Sequence, residues 1–401
     1  MSQLLEVYLG SEVIGKLTLL SGERCFFLFE DSYLDNDNRL VLSQSFFSRQ
    51  GGLITETKIR QIKLPPFFSN LLPEGHLRTY LASQGGINPN REFKLIELLG
   101  NDLPGNISVK PLRGSNIANG NEREEQNSLE EPLYRFSLAG VQLKFSALVE
   151  STGGLTIPVN GVGGDWIVKL PAQNFSHVPE NEWSMLHLAS EVGITVPETR
   201  LIDLQEIKGL PDLGLLTGNK AFAVKRFDRT LDGSRVHIED FAQVYGVYPN
   251  DKYRKANYEN MANMLWILTG EVGIVEYIKR LVFTIMIGNG DMHLKNWSLI
   301  YPDGRTPQLA PAYDFVSTIP YIPNDKLALN LSGTKDMQAI SLSHFSKLAK
   351  KAGLPEFLVL NTVREMVERL HGAWRKNKND YPLPKKLLER IDQHINANNL
   401  L

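Results

Sequence analysis

The structural pattern changes abruptly along this chain, and that change limits the folds open to it. Up to about residue 238, apolar residues fall mostly in short β-type runs such as LEVYLG, GKLTLL, CFFLFE, DWIVKLP and AFAVKRFD, separated by turn clusters such as DSYLDNDN and SRQGG. Helical spacing interrupts these runs twice, from Phe67 to Leu99 (HLRTYLAS, REFKLIELLG) and in NEWSMLHLASEVG. Beyond residue 238 long helical patterns take over: YENMANMLWILTGE, IVEYIKRLVFTIMIGNG, SHFSKLAKKAG and EFLVLNTVREMVERLHGAWRK. The stretch from Arg113 to Pro132 is rich in Asn, Gly, Ser and Glu and reads as an exposed linker. The expectation is an α+β protein in four parts. Residues 1–111 form a mainly β subdomain, 112–132 a linker, 133–237 a small mixed α/β lobe and 238–401 a helical lobe.

A chain of 401 residues is longer than one core requires, and its 42% hydrophobic and 22% charged content argues for folded units rather than disorder. With a net charge of -2, no nucleic-acid or membrane partner is advertised globally, so any such contact needs a local patch. The one candidate is a C-terminal cluster of Arg369, Arg375, Lys376, Lys378, Lys385, Lys386 and Arg390, interleaved with His371 and Trp374. It reads as a solvated helix face or as an auxiliary phosphate contact. Cys25 is the only cysteine, which excludes an intrachain disulfide and a cysteine zinc cage. The apolar stretch from Met261 to Gly288 is broken by Glu271, Glu276, Lys279 and Arg280, and the N-terminus lacks signal-peptide features, so a cytoplasmic protein without a membrane partner is expected.

The residues that carry chemistry are Gly290-Asp291-Met292-His293-Leu294-Lys295-Asn296, followed by Ala312-Tyr313-Asp314-Phe315. Phosphoryl transfer needs a carboxylate beside the attacking hydroxyl and oxygen ligands for Mg²⁺, and an Asp with an Asn five residues on supplies both. Asp291 and Asn296 keep that step, and Asp314 fits the second metal-binding carboxylate, in Asp-Phe-Val rather than Asp-Phe-Gly. His293 reads as hydrogen-bonding support for the loop. Upstream, Lys169 ends a β-type run where it could reach the phosphates of ATP, and Glu182, at the start of the following helix, could hold that lysine. Ser137-Leu-Ala139-Gly140-Val141-Gln142-Leu-Lys144 opens the small lobe as a phosphate-covering turn. The chain contains no GxxxxGK[ST] motif, which argues against a P-loop enzyme.

Taken together, FFSNLLPEGHLR, GNDLPGNISV, SLAGVQLKFSAL, IVKLP, the NE-initiated helix, VKRFDR, GNGDMHLKN and APAYDF resemble the HipA family of bacterial type II toxin–antitoxin serine/threonine kinases over nearly the whole chain. The resemblance implies a two-lobed kinase fold with an extra N-terminal subdomain. It implies Asp291 as catalytic base, Asn296 and Asp314 as Mg²⁺ ligands, and Lys144 and Lys169 as phosphate-contacting lysines, with Phe227 and Lys225 at the adenine-side hinge. Ser137 is then an autophosphorylation site. The implied partners are a helix-turn-helix, HipB-like antitoxin, operator DNA mainly through that antitoxin, and a protein substrate, an aminoacyl-tRNA synthetase, whose modification stalls translation and growth. Two positions depart from the family pattern. Lys225 stands where relatives often carry Glu, and Leu143 replaces a commonly acidic residue. A phosphatidylinositol-kinase-like lipid kinase and a catalytically weak DNA-bound corepressor are the competing readings.

Overall fold

The computed structural model describes residues 3–48, 50–55, 57–112, 144–149, 155–156, 164–172, 174–210, 218–230, 232–398 and 400. The fold is α+β and kinase-like, with mixed sheets preceding a helical lobe. The N-terminal sheet has five antiparallel strands in the spatial order Arg60–Gln61, Arg24–Phe29, Glu12–Leu20, Gln3–Leu9, Ile107–Pro111. Helices Pro66–Asn70, Gly75–Gln84 and Glu92–Leu99 accompany it.

The small lobe contains a six-stranded sheet in which Trp166–Lys169 lies between Lys144–Val149 and Lys220–Lys225, with Thr199–Asp203 at the edge. Side chains alternate across a strand with period two, so the two faces of this sheet can serve different cores. Trp166, Val168, Ala221 and Ala223 join the hydrophobic cluster of the N-terminal unit, whereas Phe222 and Val224 join that of the helical lobe. The small lobe is therefore held from both sides. Burying each of its larger apolar side chains is worth roughly 1.5–3 kcal/mol, which makes separation of the units costly.

The expected boundary between residues 237 and 238 falls inside a strand, His237–Asp240, which pairs with Ser298–Tyr301 of the helical lobe. The expected linker, from residue 113 onward, lies outside the described residues. The long apolar pattern beyond residue 258 forms a helix, Tyr258–Ile287, with a break at Gly270 (φ 63°, ψ -153°), a conformation open to glycine alone. Asn257 and Asn260 form a capping box at its start, and Gly288 ends it in the left-handed conformation. Asn289 then donates its N–H to Thr284 O at 2.9 Å, so the chain leaves the helix on a defined path into residues 290–296. Among the described residues no helix is long and apolar enough to cross a membrane.

A buried ionic network fastens the N-terminal unit to the end of strand Lys220–Lys225. Arg226 donates to both oxygens of Asp228 (2.9 and 2.8 Å), and Arg229 bridges Asp228 (2.8 Å) and Asp102 (2.9 Å). The N–H of Gly105 also donates to Asp228 at 2.8 Å. Burial alone would raise the Asp228 carboxyl, but Arg226 and Arg229 hold it well below the usual carboxylate range. Removing one member of such a network strands a buried charge. We expect Asp228→Asn to cost about 3–5 kcal/mol in urea unfolding. A loss under about 1 kcal/mol would show that apolar packing alone joins the units.

Candidate active site

Lys169 is delivered to the cleft by the last position of strand Trp166–Lys169, where the alternation that buries Trp166 and Val168 ends. Its Nζ donates to the carboxylates of both Glu182 and Asp314, which come from different elements. Burial would lower the Lys169 pKa, yet Asp314 and Glu182 outweigh it and hold the ammonium charged. Glu182 is buried in helix Val178–Glu191, which begins three residues before the expected Asn181 because Pro179 is tolerated in a first turn. Its neighbour Asn181 donates to Ser317 O (2.9 Å) and accepts from Ser317 N–H (3.0 Å). One helix thus grips Lys169 through Glu182 and the backbone after Asp314 through Asn181.

Asp314 itself has φ +56°, a left-handed conformation that Asp tolerates better than most residues. The positive φ falls on Asp314 and not on Val316, so Asp-Phe-Val needs no glycine in the third place. Phe315 is buried against Phe283, with ring centroids 4.9 Å apart. Asn289 connects this segment to the other loop: its Nδ2 donates to Asp314 O at 3.3 Å, and its Oδ1 accepts from Asp291 N–H at 3.0 Å.

The loop from Asp291 to Asn296 closes on the Asp291 carbonyl, which accepts from His293 N–H (2.7 Å) and from Asn296 Nδ2 (2.9 Å). The Asp291 side chain is 56% exposed and stands 4.0 Å from His293 Nε2. Tyr253 donates its hydroxyl to Asp291 Oδ1 at 2.5 Å. Nδ1 of His293 accepts from Lys295 N–H at 3.3 Å, which leaves the proton of the neutral ring on Nε2. Burial, aided by the charge of Lys252, pushes the His293 pKa down to about 3.

Lys295, between these residues in the motif, lines the cleft, and its ammonium is held by neighbouring acceptors. Its Nζ donates to Asn70 O (2.9 Å) and Asn70 Oδ1 (3.2 Å) and pairs with Glu74 (3.3 Å) and Asp240 (3.5 Å). Glu74 also binds Lys252 at 2.8 Å. Burial would raise the Glu74 carboxyl, but Lys295 and Lys252 hold it near 2. Asn70 and Glu74 belong to the N-terminal unit, which therefore props the loop directly.

A cavity opens between the small lobe and this loop, with Ile167, Val224, Phe227 and Tyr313 in its apolar lining and Lys169, Asp240, Lys295 and Asp314 in its charged lining. Phe227 and Tyr313 lie with ring centroids 5.7 Å apart. Lys225 also lines the cavity, with its Nζ 4.0 Å from Glu198. Asp314 and Asn296 are hard oxygen donors of the kind Mg²⁺ takes, so the donor set fits that ion.

Of the residues singled out from sequence, Lys169, Glu182, Lys225, Phe227, Asp291, His293, Asn296 and Asp314 are described, and the contacts above bring Lys169, Glu182 and Asp314 together and link Asp314 through Asn289 to Asp291. Ser137, Ala139, Gly140, Val141 and Gln142 lie outside the described residues, and Lys144 is described only as backbone, in strand Lys144–Val149. The C-terminal basic residues are partly consumed within the chain: Lys378 pairs with Asp392 (2.7 Å), Arg390 donates to Pro320 O (2.8 Å), and Trp374 is buried. Sequence reasoning missed Tyr253, Asn289, Asn70 and Glu74. Asn289, Asn70 and Glu74 stand inside the motifs GNGDMHLKN and FFSNLLPEGHLR, and Asn289, two residues before Asp291, is the one whose position offered a signal.

Comparison with known proteins supplies the lineage of this arrangement. Residues 5–110 match the HipA N-terminal domain and residues 136–374 the HipA-like C-terminal domain. The chain is 50% identical to a Sinorhizobium fredii protein named "Putative kinase Y4dM", over 97% of this chain and 96% of that one. A second protein of that organism, "Putative kinase Y4mE", is 28% identical over 91% and 90% of the two chains. Among solved structures, HipA of Shewanella oneidensis, in a complex with HipB and operator DNA, superposes with a TM-score of 0.73 at 21% identity, covering 98% of this chain and 95% of that one. With both domains matched and a full-length relative at half identity, this chain belongs to the HipA family.

Proposed function

We propose that the chain is an ATP- and Mg²⁺-dependent serine/threonine-protein kinase and the toxin of a type II toxin–antitoxin pair. The observation that carries this reading is Lys169, bound at once to Glu182 and Asp314, with Asp291 tied to Asp314 through Asn289. Lys169 orients the phosphates, and the cavity wall of Val224, Phe227 and Tyr313 takes the base. Asp314 and Asn296 would hold Mg²⁺, which would supply charge neutralisation on the phosphates. Asp291 accepts the proton as the acceptor oxygen bonds to the γ-phosphorus, while the bond from that phosphorus to the bridging oxygen breaks and ADP leaves. The acceptor is a protein hydroxyl, on an aminoacyl-tRNA synthetase by family resemblance, and its modification stops translation.

The Shewanella relative was solved with HipB and operator DNA, and we extend the same partners to this chain: a HipB-like antitoxin, with DNA reached mainly through it. Ser137 is retained as the autophosphorylation site. A phosphate there adds roughly -1.5 to -2 charge and would repel the triphosphate. Ser146, an alternative acceptor, is buried next to Arg226.

Two substitutions test the roles. Asp291→Asn and Asp314→Asn should each lower transfer from radiolabelled ATP by about 10²–10⁴-fold. Calorimetry with a non-hydrolysable ATP analogue and Mg²⁺ should show affinity falling about tenfold or more in Asp314→Asn and unchanged in Asp291→Asn. Equal weakening in both variants would overturn the assignment.

The pH profile provides a separate test. The folded pKa of His293 is depressed to about 3 from 6.5, so the imidazole stays neutral wherever the enzyme works. The same depression costs stability as pH falls from 6.5 toward 3, because the unfolded chain takes up the proton first. Activity should therefore show no His293 titration between about pH 5 and 8. A limb with a midpoint near 6.5 that vanishes in His293→Gln would make the imidazole the base instead.

A further inference from the structure

The contact between Tyr253 and Asp291 has the chemistry of a substrate contact. An acceptor hydroxyl must come within about 2.6–3.2 Å of its base. The Tyr253 hydroxyl donates to Asp291 Oδ1 at 2.5 Å, and no other hydrogen bond of this side chain occurs among the described residues. Its ring stands edge-on to His293, with centroids 4.9 Å apart and planes at 84°, and Lys252 Nζ lies 5.7 Å from its centroid. Despite these contacts the residue is 39% exposed, between the exposed Arg254 and the buried Lys252.

We infer that Tyr253 fills the acceptor-hydroxyl position on Asp291 in the resting protein, and that an incoming protein hydroxyl displaces it. The inference rests on Asp291 being the base. The Tyr253 bond occupies a lone pair of Oδ1, so an acceptor hydroxyl approaching along that direction must displace it. The same bond occupies the lone pair that an attacking water would need on that oxygen, and so suppresses idle hydrolysis of ATP. Moving Tyr253 aside costs one hydrogen bond and two ring contacts and opens no buried core. The backbone on either side is tied down, by Arg254 N–H to Asp251 O at 2.9 Å and by Leu294 N–H to Lys252 O at 3.4 Å, so the displacement is a rotation of the Tyr253 side chain. Burial and the Asp291 charge raise the phenol pKa, which keeps Tyr253 a proton donor throughout the working range.

The full-length protein, Tyr253→Phe, Tyr253→Ala, Asp291→Asn and the double variant Tyr253→Phe/Asp291→Asn are assayed for ADP release without acceptor and for phosphate transfer to dephosphorylated casein. Freeing the base should raise ADP release and lower the KM for casein about tenfold, the worth of one hydrogen bond to a charged group, with kcat little changed. Tyr253→Phe keeps the ring, so its agreement with Tyr253→Ala would assign the effect to the hydroxyl. In the Asp291→Asn background the Tyr253→Phe change should have no effect. A fall in kcat at constant KM would overturn the inference and make the phenol a positioning group for Asp291. Failure of Tyr253→Phe to raise ADP release above the wild-type level overturns it too, because an uncovered base must admit water. Full activity in Asp291→Asn is the distinct result that removes Asp291 as base, and the inference with it.

Discussion

Everything in the cleft depends on one buried ammonium shared by two carboxylates. Lys169 ends a small-lobe strand, Glu182 lies on a helix packed against that sheet, and Asp314 follows the helical lobe's hairpin, so this ion pair joins three elements. Desolvation makes a buried charge costly unless it is fully compensated. Loss of either carboxylate would leave the other pair with a different geometry. The contact therefore selects one relative position of the lobes, in addition to whatever it contributes to stability. Asn181, one residue before Glu182, reinforces that selection through Ser317, whose hydroxyl in turn donates to Ile287 O at 2.6 Å.

The second constraint comes from the N-terminal unit. A small lobe alone would leave the Trp166 and Val168 face of its sheet exposed, and the N-terminal cluster covers it. The same unit supplies Asn70 and Glu74 beneath the loop and Asp102 beside the hinge. The added domain is thus built into the site from two directions. It is better regarded as part of the catalytic framework than as an appended module.

What the sequence made legible followed from chemistry that only a few residue types can perform. Asp291, Asn296 and Asp314 stood out because an Asp, an Asn five residues on and a later Asp form an uncommon ordered pattern, and Lys169 and Glu182 because a strand lysine there calls for an acidic partner; the structure brings Lys169, Glu182 and Asp314 into contact. The strand and helix runs were legible through period and length. The remaining features depend on contacts far apart in sequence: Lys295 meets Asn70 across 225 positions, and Ser43 meets Glu239 across 196. His237–Asp240 looked like the end of the small lobe because its partner strand begins at Ser298. The runs YENMANMLWILTGE and IVEYIKRLVFTIMIGNG read as two helical patterns, and the break between them falls at Gly270, inside the first, because periodicity reports the face of a helix and not the residue at which its backbone departs.

The spacing of the catalytic motif itself has a physical origin in the loop. Five positions separate Asp291 from Asn296 because the carbonyl of the first accepts from the amide of the second, with a single 3-10 turn, Leu294–Asn296, closing the interval. His293 precedes that turn and accepts the Lys295 N–H, so its ring caps the turn while remaining neutral. Lys295, which lines the same cavity as Asp314, is held there by Asn70, Glu74 and Asp240. By engaging Lys295 with Asn70, Glu74 and Asp240, the fold compensates the loop's own positive charge within the cleft, whereas the Asp291 side chain stays 56% exposed.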